Sequence, residues 1–207
     1  MRFSRTLILT MAALTSFAIA CKSSERQESP PKSAPVSPSP SSTETPSPSG
    51  AAKATLTDAQ IAAIVVAANQ VDIDNGVLAE RKAKNDDVKK FAERMVTDHT
   101  GVNKAAVELV TKLGVTPAET DASRGLTTGG DATRHKLDAL DGAAFDRAYV
   151  DNEVAYHKAV IEVLDTQLIP SATNAELKKM LVGVRPAFVA HLEHAQQIQA
   201  SLAKPGA

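Results

Sequence analysis

The residues from about Ala52 to Ala207 predict an all-α domain of four long antiparallel helices. Three observations carry this. Apolar residues recur at three- and four-residue steps in four separate stretches. Capping signals precede two of them, and no segment shows the apolar–polar alternation of a half-buried strand. Four amphipathic helices of ~25–30 residues each bury their stripes most simply in a bundle.

Helix one opens at Thr57-Asp58-Ala59-Gln60, a capping box flanked by Leu56 and Ile61 as a hydrophobic staple. Its apolar positions, Ile61, Val65 and Ala68, pass Asp72 and return at Ala79. Helix two begins near Asn85, where Asp86 and Asp87 favour the positive end of the helix dipole, and ends at Leu113-Gly114. Helix three spans about Ala143 to Leu168 and is expected to stop before Pro170. Helix four has Thr173 and Glu176 as a second capping box and runs to about Leu202.

Helices one and two, and three and four, have short joins. The join between two and three covers roughly Val115 to Gly142, with a short helix expected near Thr133–Leu140. Such a connection can run the height of the bundle, as the crossover of ferritin-like folds does. A plain up-down bundle with a long loop is the alternative. Pro186 inside helix four removes a donor and crowds the carbonyl of Val182. A bend there either aims the following turn, which carries His191, or merely curves the helix around the core.

Ahead of this domain lie two other segments. Arg2 and Arg5, the apolar run Leu7–Ala20 and the small residues Ala18 and Ala20 have the layout of an export signal over residues 1–20. The single cysteine, Cys21, follows directly and resembles the acylated cysteine of a lipobox. Lipidation there anchors the protein to a membrane, and Lys22 rather than an aspartate fits lipoproteins passed on to the outer membrane. With Cys21 acylated no thiol is left for disulfides or catalysis. Residues 21–51 then read as a tether. Seven of the chain's 11 prolines fall between Lys22 and Gly50, and almost nothing apolar is available to bury. In polyproline II form this stretch reaches roughly 90 Å. Removing the signal leaves 21 basic against 24 acidic side chains, with no tryptophan and few aromatics, so nucleic acid is excluded as a partner. Protein partners are not legible in the sequence.

Each helix stripe is apolar except at one place. Helix two runs Val88, Ala92, Met95, His99, Val102, Ala106; helix three Val150, Val154, His157, Ile161, Leu164; helix four Leu181, Val184, Phe188, His191, Ala195. Helix one has Asp72 in the equivalent position. Three histidines and an acid facing one core need partners. They form either a buried hydrogen-bond network or a site for a transition metal such as zinc, copper, iron or nickel, with His99, His157, His191 and Asp72 as ligands. Counting residues from the turns puts Asp72 and His99 about 3 Å apart in height, but His157 and His191 about 9 Å apart; Glu153 is nearer the level of His191. His194 and His135 are expected on the surface, His135 in the loop. Asp98 either orients another group or faces water. Tyr149 and Asp146 either hydrogen-bond the core imidazoles or, respectively, pack and face water. Glu-x-x-His, the motif of dinuclear carboxylate sites, is absent, and no nucleophile–base pair or phosphate loop is present, so an enzyme is not expected.

These residues also form a recognisable pattern. Lys89–His99, KKFAERMVTDH, resembles the "fA..M..DH" signature of the domain of unknown function 4142 family. Phe145-Asp146-Arg147-Ala148-Tyr149 with His157 is similar to its "FD..Y…H" element, and Pro186 with His191-Leu192 to its "P….HL" element. The resemblance covers most of Thr57 to Leu202. It implies a ferritin-like four-helix bundle in exported bacterial proteins, often described as outer-membrane proteins, with His99, His157 and His191 at the recurrent histidine positions. Asp72 stands where the family usually has glutamate. The resemblance implies no settled activity.

Overall fold

A computed structural model describes residues 55–204. The export leader, Cys21 and the tether lie outside the described residues. Among those described, every regular element is helical: α1 (Asp58–Lys82), α2 (Asp86–Lys112), α3 (Asp121–Asp138), α4 (Gly142–Val163), α5 (Ile169–Ser171) and α6 (Ala175–Leu202), with a π-helical turn, Leu164–Leu168, between α4 and α5.

The local signals decide where these helices start. Thr57 caps α1 with both bonds of the expected capping box: its hydroxyl accepts from the Gln60 N–H, and the Gln60 side chain accepts from the Thr57 N–H. Asn85 caps α2 by accepting from the N–H groups of Asp87 and Val88. At the far end of α2, Gly114 takes φ 66°, a left-handed turn that glycine adopts without steric cost. The cap of the last helix is one residue later than expected. Asn174, not Thr173, accepts from the N–H groups of Glu176 and Leu177, because Thr173 is already engaged with the Asp58 carboxylate at the start of α1.

Paired residues fix the directions of the helices. Asn69–His99 and Val66–Asn103 set α1 against α2; Asp151–Gln199 sets α4, and Asp165–Arg185 the π turn after it, against α6; Asp98–His191 and Lys112–Glu176 set α2 against α6. Tyr156 Oη donates to the Ala68 carbonyl, and Asp146 accepts from the backbone of Lys84 and Asn85, so α4 runs antiparallel to α1. By contrast, α3 runs parallel to α1 along its outer side, meeting it at Val71–Gly130, Asp74–Arg134 and Lys82–Asp138. It carries the chain from the end of α2 back to the start of α4.

The sequence reading of this connection needs correction. An 18-residue helix stands where a short one near Thr133–Leu140 was expected. Gly125, Gly129 and Gly130 weaken the helical signal, yet a Cβ on Gly130 would come within 2.6 Å of the Val71 side chain, so the glycine is what lets α3 lie against α1. His135 is exposed as expected, but on this helix rather than in a loop. Pro170 does not end the third long helix either. Proline removes a donor and crowds the carbonyl four residues back, and the chain responds with a π turn and then continues to Ser171. α6 is likewise continuous through Pro186.

Two apolar clusters fill the ends of the bundle. One contains Leu78, Val88, Phe91, Met95, Phe145, Tyr149 and Ile198; the other Ile61, Val65, Leu164, Leu168, Leu177, Leu181 and Phe188. The waist between them is polar. Asn69, Asp72, His99, Glu153, His157 and His191 are each at most 3% exposed.

Candidate metal centre

The three stripe histidines meet in this waist. Their ring centroids form a nearly regular triangle: 5.6 Å from His99 to His157, 5.2 Å from His99 to His191 and 5.5 Å from His157 to His191. The height mismatch expected between His157 and His191 is absent. The count ended helix three at Leu168; the chain stays helical to Ser171, which reduces the mismatch, and the two rings meet.

The tautomer of each ring follows from its partner. Asn69 Nδ2 donates to the Val65 carbonyl at 2.8 Å, which leaves Asn69 Oδ1 to accept from His99 Nδ1 at 2.8 Å. His157 Nδ1 donates to the Glu153 carbonyl at 3.0 Å. His191 Nε2 donates to Asp98 Oδ2 at 2.8 Å. Each ring therefore spends its N–H on an oxygen and keeps one lone pair: His99 Nε2, His157 Nε2 and His191 Nδ1. All three of these nitrogens are buried and have no hydrogen-bond partner. One nitrogen from each histidine lies within 4.8 Å of one from each of the others.

Electrostatics keep the rings neutral. Burial, then the neighbouring histidines, lowers His99 to about 3; burial and His191 lower His157 to about 4. Burial also lowers His191, against the pull of Asp98. Asp98 itself would be raised by burial, but bonds from His191 and Arg94 outweigh this and hold it below the usual range. Neutral imidazoles with fixed tautomers are the form that binds cations.

Asp72 lies on a different side of His99. Its Oδ2 is 3.5 Å from His99 Nδ1, the nitrogen already bonded to Asn69. It groups instead with Glu153 and His157, whose donor atoms fall within 4.8 Å of one another. Burial raises Glu153 to about 8, and burial with the charge of Glu153 raises Asp72 well above the carboxylate range. Two acids this close and this dry share a proton. A cavity of about 30 Å³ beside His99, bounded by Asn69, Asp72 and Phe188, has room for about one water.

One residue takes one of the two roles the sequence offered, and two differ from the sequence reading. Asp98 does not simply face water but orients His191. Asp146 is buried, and its carboxylate bonds the Lys84 and Asn85 backbone rather than an imidazole or water. His194 is half-buried against the Phe91 ring, not a surface residue. Reading the stripes missed Asn69 and gave Glu153 only as the acid nearer the level of His191. Both lie on buried helix faces, three residues before Asp72 and four before His157, and that spacing is the signal that marks them.

Fold and waist together define an all-helical protein with a buried histidine–carboxylate layer. The chain belongs to the family described as domain of unknown function DUF4142, whose model matches residues 43–198. It is similar in structure to a secreted DUF305 protein from Streptomyces coelicolor, at 14% identity and a TM-score of 0.60, covering 72% of this chain and 95% of that one. It is also similar to CopM in its Cu(II)-bound form, at 18% identity and a TM-score of 0.54, covering 70% of this chain and 98% of that one. These likenesses concern the fold. No curated protein matches the chain.

Proposed function

We propose that this is an exported protein, tethered to the envelope membrane through Cys21, whose ferritin-like four-helix bundle binds a transition metal ion through His99, His157 and His191. One observation carries the reading: three buried histidines, each with one imidazole nitrogen that has no donor, bring ligand atoms within 4.8 Å of one another. A closed hydrogen-bond network leaves no such residue of acceptors, because each unpaired buried group costs about 1–3 kcal/mol. A cation satisfies all three together. Nitrogen donors without a thiolate suit copper, zinc, nickel or iron, and the structural neighbour CopM is a Cu(II)-bound protein.

The charges agree with this. A divalent ion among neutral rings needs two negative charges nearby. Asp98 supplies one, and Asp72 with Glu153, holding one proton between them, supplies the other. The bonds from His99 to Asn69, His157 to the Glu153 carbonyl and His191 to Asp98 set the rings as outer partners of metal ligands do.

Elemental analysis tests this on the full-length protein, exported, extracted in detergent and purified without a histidine tag. Near one equivalent of a transition metal is expected, lost in the His99→Gln/His157→Gln double variant while its helical content is retained. No metal after incubation with copper, zinc and iron, or equal destabilisation of the variant with and without metal, would sink the reading.

A further inference from the structure

We infer that Asp72 and Glu153 form a second cation site beside His157, so that the waist takes two ions of different hardness side by side. Glu153 is fully buried on α4, and neither carboxylate oxygen has a hydrogen-bond partner; Asp72 Oδ1 on α1 is in the same state. The nearest N–H groups are already used. His99 Nδ1 bonds Asn69 and lies 3.5 Å from Asp72 Oδ2; His157 Nδ1 bonds the Glu153 carbonyl and lies 3.6 Å from Glu153 Oε2. Both separations exceed a hydrogen bond's usual 2.7–3.2 Å.

A proton shared between the acids fills one of these vacant positions and leaves the others. One turn before Glu153 on the same helix, Tyr149 adds a fourth oxygen, fully buried and without a partner. Unpartnered oxygens from three side chains, drawn from two helices and enclosed away from water, make an oxygen-rich pocket. His157 adjoins both sites: its Nδ1, bonded to the Glu153 carbonyl, is 3.6 Å from Glu153 Oε2, and its Nε2 is the nitrogen left free for the three-histidine ion. Carboxylate and phenol oxygens favour a harder divalent ion, manganese or ferrous iron, over the copper or zinc that imidazoles favour.

This site adjoins the one proposed above, and the test separates the two. The full-length protein in detergent is stripped with a chelator, given one equivalent of Zn²⁺, then titrated with Mn²⁺ while electron paramagnetic resonance follows free manganese. The expected result is one zinc retained and one manganese taken up per chain. Glu153→Gln should keep the zinc and lose the manganese. Asp72→Asn should do the same and serves if the first variant does not fold. Zinc retained with equal manganese uptake by wild type and variants overturns the second site and leaves the three-histidine reading intact. Glu153-dependent manganese without retained zinc upholds the second site and sinks the first.

Discussion

α4 carries two buried acids, and they live under opposite conditions. Asp146, near its start, is 3% exposed, and its two oxygens accept from the backbone N–H groups of Lys84 and Asn85 at 3.0 and 2.9 Å. Glu153, two turns on, is fully buried, and neither of its oxygens accepts from any donor. Asp146 ties α4 to the turn between α1 and α2, so its burial is compensated and serves the fold. Glu153 has only the proton it shares with Asp72 to offset its burial. The contrast teaches that burial alone does not mark a site; a buried acid that no backbone donor holds does, because a proton or a bound cation must offset its desolvation.

The largest effect should come from breaking the compensated acid. Asp146→Ala strands two backbone donors in a partly buried turn and is expected to lower stability by about 2–4 kcal/mol, equally with and without metal. Denaturant unfolding checks this; a loss that disappears on adding metal would move Asp146 into the site.

Asp98 is the intermediate case, a carboxylate open to water on one side and bonded to His191 on the other. Asp98→Ala should weaken binding of the three-histidine ion by about 10–100-fold, with little change in metal-free stability. Competition against a chromophoric chelator measures it.

The smallest effect sharpens the Glu153 side of the comparison. In the metal-free protein Glu153 titrates at about 8, above its ordinary value of 4.5. Its contribution is complete below the unfolded value and is lost as pH rises towards 8. His99 and His157, depressed to about 3 and 4, act oppositely, costing stability as pH falls below 6.5. Metal-free stability should therefore peak near pH 6.5 and fall by about 1–2 kcal/mol by pH 8. Glu153→Gln should flatten the alkaline side only. Thermal melts across pH detect this; an unchanged alkaline slope would contradict it.

Much of this arrangement was legible in the sequence, for reasons that identify what was not. Helical periodicity displays a histidine among aliphatics, so His99, His157 and His191 were visible as inward-facing residues. Local capping was visible at Thr57 and Asn85, because a cap depends only on the next few residues. Thr173 misled because its hydroxyl is taken by Asp58, 115 residues away in sequence. Pro170 misled because proline signals a stop, while a π turn lets the chain pass it. Glu153 and Asp98 stayed ambiguous because an acid beside a stripe residue has the same local pattern whether it faces water or a partner helix. Which of the two applies is settled only by how α1, α2, α4 and α6 pack.

The connecting helix α3 bears on how the molecule moves. Of its 18 residues only Ser123 and Leu137 are buried, and it leans on the outer side of α1. Shedding it breaks surface ion pairs and uncovers Leu137, which packs in the cluster of Leu78 and Phe145, and Leu126, which packs on the other cluster. Regions with so few buried contacts open at free energies far below that of global unfolding. The long crossover thus confers compliance on an otherwise stiff barrel of helices, letting the back of α1 be uncovered while the polar waist stays closed.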